Sequence, residues 1–326
     1  MTTVGDGLFQ YGGVPVGGYD STTIGNIYYV FQTTAYLYDS LFERSKRGQY
    51  DDGNQRVHNT IASALSACKS LRNDAVIVMP DHLGYTITAT LTHGYQMAVK
   101  LLCPPAYAGY SCGCNRLAPI TMSTTDTPVL TMTGHHCEVA GLTFVNAASD
   151  ATASGSAISS ASATGYYSNI HHNLFEMYTD GATNIPIIGN ATDGMTRSQI
   201  HNNRFTHYSG ASDTIVSIVD IAANSTATSV DDNVFLLGNT TTYTTVIKNL
   251  SVKGTVFRNY INAGAAQGGM GAATVTKAIT IGTSTMAADN RFGGLTTYLA
   301  SGGTVDRSWV ENYAGLNGGV VQDNDT

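Results

Sequence analysis

One short pattern of apolar and polar positions recurs through the middle of the chain: an apolar residue, two polar ones, Asn, any residue, then Phe. It is anchored at Ile170, Asn173 and Phe175, again at Ile200, Asn203 and Phe205, and again at Val230, Asn233 and Phe235, each position returning after 30 residues. An upstream apolar position keeps the same interval at Ile158, Ile188 and Ile218. Looser copies run from Val139 to Phe144 before, and from Val252 to Phe257, Ala287 to Phe292 and Val305 to Val310 after. On that reading the Phe-equivalent positions step by 31, 30, 30, 22, 35 and 18 residues.

Periods of about 20–50 residues belong to solenoids, propellers and arrays. These segments are short, β-branched and Thr-rich without a helical stripe, which excludes helical solenoids. A propeller blade needs about 40 residues and four strands, and these units hold two or three. Stacked coils remain, each completing its neighbour's apolar face by parallel pairing about 4.8 Å away. The expected fold is therefore all-β, a right-handed parallel β-helix. Ile170, Ile200 and Val230 should form one inward file and Phe175, Phe205 and Phe235 another. Asn173, Asn203 and Asn233, with Asn290, should form a buried amide ladder, each Asn taking left-handed angles at a bend and bonding the next.

The flanks read differently. Residues 1–27 are Gly-rich, lack any period and form an expected extended arm that docks on a partner or another subunit. Residues 28–104 read as an N-terminal cap and first coils. IYYVF is a strand, and Asn54 caps a helix of about four turns whose apolar face carries Val57, Ile61, Ala64, Leu65, Cys68 and Leu71. Lys69 and Arg72 fall near its C-terminal end, where the helix dipole favours them. Strands follow at 75–79, at 85–91 with strict alternation, and at 97–103. Residues 105–316 carry the β-helix and 317–326 a tail.

Composition supports a turn-rich β protein: charged residues are only 12% and glycines number 35 in 326 residues, where Asn and Gly accept left-handed angles. A net charge of −7 and a pI near 5.6 argue against nucleic acid, which needs clustered Lys and Arg. The one dense basic group is Arg44, Lys46 and Arg47. No apolar run reaches the ~18 residues of a membrane span, and the first residues show no secretory signal. Asn-x-Ser/Thr triplets at Asn190, Asn224, Asn239 and Asn249 read as composition.

Parallel stacking makes residues one period apart neighbours, so candidate chemistry can be sought by spacing. Asp150 and Asp180 are a candidate carboxylate pair on adjacent coils, with turn roles as the plainer reading. His171, His201 and Asp231 should form an outward column, in which the carboxylate would raise the pKa of its His neighbour; a solvated polar ladder is the plainer reading. Tyr178 and Tyr208 should stack at one edge and offer rings to a glycan. Cys112 and Cys114 with His135, His136 and Cys137 lack the paired knuckles of a zinc site, so buried thiols and no metal are expected. No phosphate loop, nucleophile elbow or cofactor motif appears, and no cofactor is expected.

The repeat resembles the pectate-lyase-like group of parallel β-helix proteins. The opening GDGLFQYGGVPVG, the IYYVF strand, the capping helix and the VIVMP strand resemble virion proteins of uncultured marine tailed bacteriophages; the likeness spans most of residues 5–310. It implies a homotrimer whose N-terminal segment docks on other virion proteins and whose β-helix projects from the particle, the chain being made in the host cytoplasm. The acidic calcium site and catalytic Arg or Lys of pectate lyases cannot be placed on one strand here, so lyase activity does not carry over. The expected function is that of a phage structural protein, a tail spike or head decoration that contacts the host surface or a glycan. A glycan-degrading tail-spike enzyme is the first alternative and a bacterial surface adhesin the second.

Overall fold

A computed structural model of the chain describes residues 9–11, 14–16, 25–32, 56–70, 72–79, 84–93, 99–103, 119–122, 128–148, 156–160, 166–179, 187–190, 195–209, 214–238, 242–263, 273–295, 299–301, 309–310, 312–314 and 319–321. Its strands form three long sheets of eleven, ten and nine strands. Each coil visits them in that order. Asn169–His171 lies in the first, Leu174–Thr179 in the second and Ile188–Asn190 in the third, before Gln199–His201 pairs parallel to the strand where the coil began. The chain is a parallel β-helix.

The inward files hold it together. Leu101, Val139, Ile170, Ile200, Val230, Val256 and Ala287 are in successive register, and none is exposed. The rings of Phe144, Phe175, Phe205 and Phe235 stack 5.1, 4.8 and 4.5 Å apart and within 11° of parallel. Each fully buried side chain of this size is worth roughly 1.5–3 kcal/mol of burial, and one continuous core runs from Tyr28 to Leu295.

Beyond Phe235 the register departs from a fixed spacing. Val230 pairs with Val256, and Phe235 with Ile261. The copy is therefore Val256 to Ile261, not Val252 to Phe257; Val252 is 46% exposed and Phe257 faces outward opposite Asp231. The final copy is likewise Trp309 to Ala314 rather than Val305 to Val310. In the nine-stranded sheet Ile188 pairs with Val219, one residue past Ile218, and both are buried. Passages between sheets vary in length, so spacing drifts while the three-dimensional register holds.

The amide ladder is longer than expected: Asn173, Asn203, Asn233, Asn259 and Asn290 are all fully buried. Each of the first four amides donates to the oxygen of the next at 3.0–3.1 Å and to a backbone carbonyl of the coil below at 2.8–2.9 Å. The left-handed residue is not the Asn but the one before it: His172, Asn202, Asp232, Arg258 and Asp289 have φ of 51–55°. Turning the chain one residue earlier leaves the Asn side chain aimed inward, where it meets only backbone and other amides. Gly141 fills the same position lower down, at φ 73°, where a Cβ would lie 2.4 Å from the Cys103 carbonyl oxygen.

The cap is shorter than its apolar spacing suggests. The helix is Ile61–Ala67, with Thr60 as its N-cap, the hydroxyl accepting from the Ser63 N–H at 3.2 Å. Asn54 lies outside the described residues. Val57–His58 is a strand beside Tyr29–Val30, and Ile61, Ala64 and Leu65 cover the end of the core. Lys69 and Arg72 lie past the helix. Asp74, wholly buried, accepts the Lys69 and Asn26 backbone N–H groups and both arms of Arg72, all at 2.6–2.7 Å. Burial opposes its ionisation, but these four bonds hold its carboxyl below the ordinary range. The alternating stretch from Tyr85 breaks into Tyr85–Ile87 and Leu91–His93, in different sheets, because a coil must turn its corner there. Within the arm, Phe9–Tyr11 pairs antiparallel with Val14–Val16. In the tail, Gly319–Val321 folds back antiparallel on Asn312–Ala314.

Candidate functional site

The corner between the eleven- and ten-stranded sheets gathers most of the described ionisable side chains that stand close together. The amide ladder fixes its backbone from inside. Outside, each coil presents the left-handed residue and the outward positions of the two strands that flank it.

Its lower half is a histidine cluster. The register sets His171 beside His201 and His201 beside Asp231, as the spacing predicts. His171 and His201 stack 5.0 Å apart at 7°, and His172 meets both edge-on. His171 is 3% exposed, so this is not a freely solvated column. Its Nε2 lies 3.0 Å from Glu138 Oε1, a partner from the preceding coil that a 30-residue spacing does not find. His201 Nε2 lies 2.8 Å from Asn169 Oδ1 and its Nδ1 3.1 Å from Asn202 Nδ2. An amide oxygen only accepts and an amide nitrogen only donates, so His201 carries its proton on Nε2 and is neutral. Burial and then the two neighbouring histidines pull it down to about 4. The expectation that Asp231 would raise it is not met: the carboxylates that raise it are Asp232 and Glu138, and desolvation with the two histidines outweighs them. Asp231 is itself pushed up to about 6, chiefly by burial, and its Oδ1 has no hydrogen-bond partner. It is a carboxyl that can hold a proton near neutral pH.

The upper half is an open groove of about 500 Å³ lined by Asp232, Arg258, Tyr260, Asp289 and Arg291. Arg258 holds Asp232 with two bonds of 2.8 and 2.7 Å. Tyr260 is 38% exposed, and the Asn262 amide donates to its hydroxyl at 3.2 Å. Arg291 stands directly above Tyr260 in the register and makes no ion pair among the described residues.

Elsewhere, the corner leading into the eleven-stranded sheet carries a separate aromatic pile. His135 stacks on Tyr166 and His136 on Tyr167, at 4.9 and 4.6 Å, with the Arg197 guanidinium 5.4 Å from the Tyr167 centroid and bonded to its hydroxyl. These two histidines are engaged with rings, and no three His, Cys, Asp or Glu side chains among the described residues converge as metal ligands. Cys68, Cys103 and Cys137 are buried thiols, each pushed up to about 12 by burial. Cys112, Cys114, Asp150 and Asp180 lie outside the described residues. Tyr178 and Tyr208 are paired in register on the ten-stranded sheet.

Spacing found His171, His201 and Asp231 but missed Glu138, His172, Asn202 and the whole groove. The available signal was the residue before each ladder Asn, which reads His172, Asn202, Asp232, Arg258 and Asp289 once Asn259 is admitted. Comparison with protein-family models, curated proteins and solved structures finds no match.

Proposed function

We propose that the chain is a structural protein of a tailed-phage particle, a spike or head decoration acting as a homotrimer, that presents the flank of its β-helix to a host-surface glycan. One observation supports the reading most. At the polar corner the backbone repeats with φ of 51–55° on five coils, while the side chain it carries changes from His to Asn, Asp, Arg and Asp. The ladder beneath is unchanged, so outward side chains can be exchanged there without disturbing the core. A stacked coil also unfolds slowly, which suits a particle exposed to the environment.

The resemblance assigns docking to the arm. Removing residues 1–24 should leave the circular dichroism and thermal unfolding of the β-helix intact and abolish incorporation into particles; Gly25 is kept because its N–H bonds the Asn73 carbonyl at 3.1 Å. Normal incorporation of the shortened chain would overturn the docking role. Incubation with host polysaccharides separates presentation from catalysis. Binding without cleavage is expected, whereas new reducing ends or unsaturated uronic products would make the chain a tail-spike enzyme.

A further inference from the structure

We infer that the groove lined by Asp232, Arg258, Tyr260, Asp289 and Arg291 binds a neutral oligosaccharide; the inference rests on the glycan-contact reading and names the class of glycan. Charge is the first argument. The groove holds two carboxylates and two guanidinium groups, and one of each is already spent in the Asp232–Arg258 pair. What remains is Asp289 and Arg291, which cancel. With the two cancelled, the groove gives an anionic sugar or a cation no net attraction to offset its desolvation, and either would bring one like-charge contact, at Asp289 or at Arg291. A neutral polyol meets donors and acceptors in equal measure.

Shape is the second argument. Tyr260 is the exposed aromatic of the groove and joins no ring stack among the described residues. A flat ring with a polar tip suits the apolar face of a pyranose. Above Asn262 in the register stands Gly293, where a Cβ would lie 3.3 Å from the Asn262 side-chain oxygen and 3.5 Å from the Tyr260 hydroxyl. The missing side chain leaves the floor beside the Tyr260 hydroxyl open, and any larger residue would fill it.

Spacing is the third. Asp232, then Arg258 with Tyr260, then Asp289 with Arg291 belong to three successive coils. Coils rise about 4.8 Å each, close to the length of one sugar unit, so the polar groups repeat at the interval of a linear glycan laid along the axis. The three coils would take two or three units.

The test is calorimetric titration of the full chain with neutral glucan and galactan trisaccharides, with trigalacturonate as the charged comparison. At least one neutral trisaccharide should bind and trigalacturonate should bind more weakly. Tyr260→Ala should weaken the neutral ligand about tenfold, the worth of one aromatic contact. Tyr260→Phe should stay within about threefold, since the ring is kept. Arg291→Ala, at an exposed position, should weaken the neutral ligand and widen its lead over trigalacturonate, because Asp289 is then left uncancelled. Tyr167→Ala, in the separate aromatic pile, should leave binding unchanged. Tighter binding of trigalacturonate would overturn the neutral class while leaving glycan contact standing. Neutral binding indifferent to both Tyr260→Ala and Arg291→Ala would place the site elsewhere on the flank. Failure of every glycan to bind would sink this inference and the glycan-contact reading together.

Discussion

The side-chain oxygen of Asn203 accepts two hydrogen bonds from Asn173, one from its backbone N–H and one from its amide, each 3.1 Å long. The same oxygen cannot be replaced by an apolar atom without stranding both donors in the core. Asn203→Leu should therefore cost roughly 3 kcal/mol or more, since each orphaned buried group costs about 1–3 kcal/mol. Asn203→Asp should cost at least as much at neutral pH, because its second oxygen would face the Ile170 carbonyl and Asn233 Oδ1, both acceptors. Urea unfolding of the full chain measures both. A loss under about 1 kcal/mol would show that the ladder does not hold the coils.

The phenylalanine file is open to a double-mutant cycle. Phe175→Ala and Phe205→Ala should each cost about 3–5 kcal/mol through lost burial and the cavity left behind. Their rings stack 4.8 Å apart, so the pair should couple by about 0.5–1.5 kcal/mol beyond that burial. Strictly additive losses would mean that the stacked geometry adds nothing to apolar packing.

A second line of left-handed residues, His136, Tyr167, Arg197, Ala227 and Lys253 with φ of 53–60°, offers a substitution of opposite sign. Ala227 has φ 53° and is exposed. A left-handed L-residue costs roughly 1–2 kcal/mol and Gly escapes this, at an unfolded-state entropy cost of about 0.4–1 kcal/mol. Ala227→Gly should be neutral to stabilising by up to about 1 kcal/mol, and Ala227→Val should destabilise by about 1–2 kcal/mol. Thermal melts should place the Gly variant at or above the parent chain and the Val variant below it. A stabilising Val would refute the backbone assignment at this corner.

Asp231 and His201 set opposing pH dependences. The Asp231 carboxyl is raised from 3.8 to about 6, so the folded chain holds that proton more tightly than the unfolded one. Its contribution to stability is present below about pH 4 and is lost as pH rises through 6. His201, lowered from 6.5 to about 4, works the other way. Its neutral form is favoured on folding, and stability falls as pH drops from about 6.5 toward 4. Asp231→Asn removes the first effect alone. It should stabilise the chain at pH 8 by on the order of 2 kcal/mol and change little at pH 3.5. An equal gain at both pH values would show that Asp231 is not held near 6.

The architecture was legible in the sequence because a coil repeats its constraints. Ile170, Asn173 and Phe175 return on an unbroken 30-residue interval only while the passages between sheets keep their length. That condition lapses after Phe235, where Ile261 follows 26 residues later and Ala314 closes the series 22 residues after Phe292. Phe257 drew the eye as an aromatic at the expected offset, yet Asn259 marked the true register, since only a buried amide can continue the ladder. The cap helix was overextended because a strand such as Val57–His58 and a helix face cannot be told apart over two residues. The polar corner was half legible. A column within one strand follows from spacing, but Glu138 reaches His171 from a neighbouring column, and the groove assembles from residues whose proximity depends on the shifted register. His201 is lowered by burial where a raised value was expected, and burial on an outer face leaves no mark in the sequence.

The strand Gly319–Val321 reverses direction on the last rung of the ten-stranded sheet, while the helix Ile61–Ala67 closes the opposite end of the core. The top of the molecule is thus not a copy of what its own bottom would accept. Among the described residues, a second copy meets a last strand of that sheet running against the coil direction, and open strand edges are what otherwise seed head-to-tail fibres. A reversed strand at one rim thus works against growth of the ten-stranded sheet from one molecule into the next.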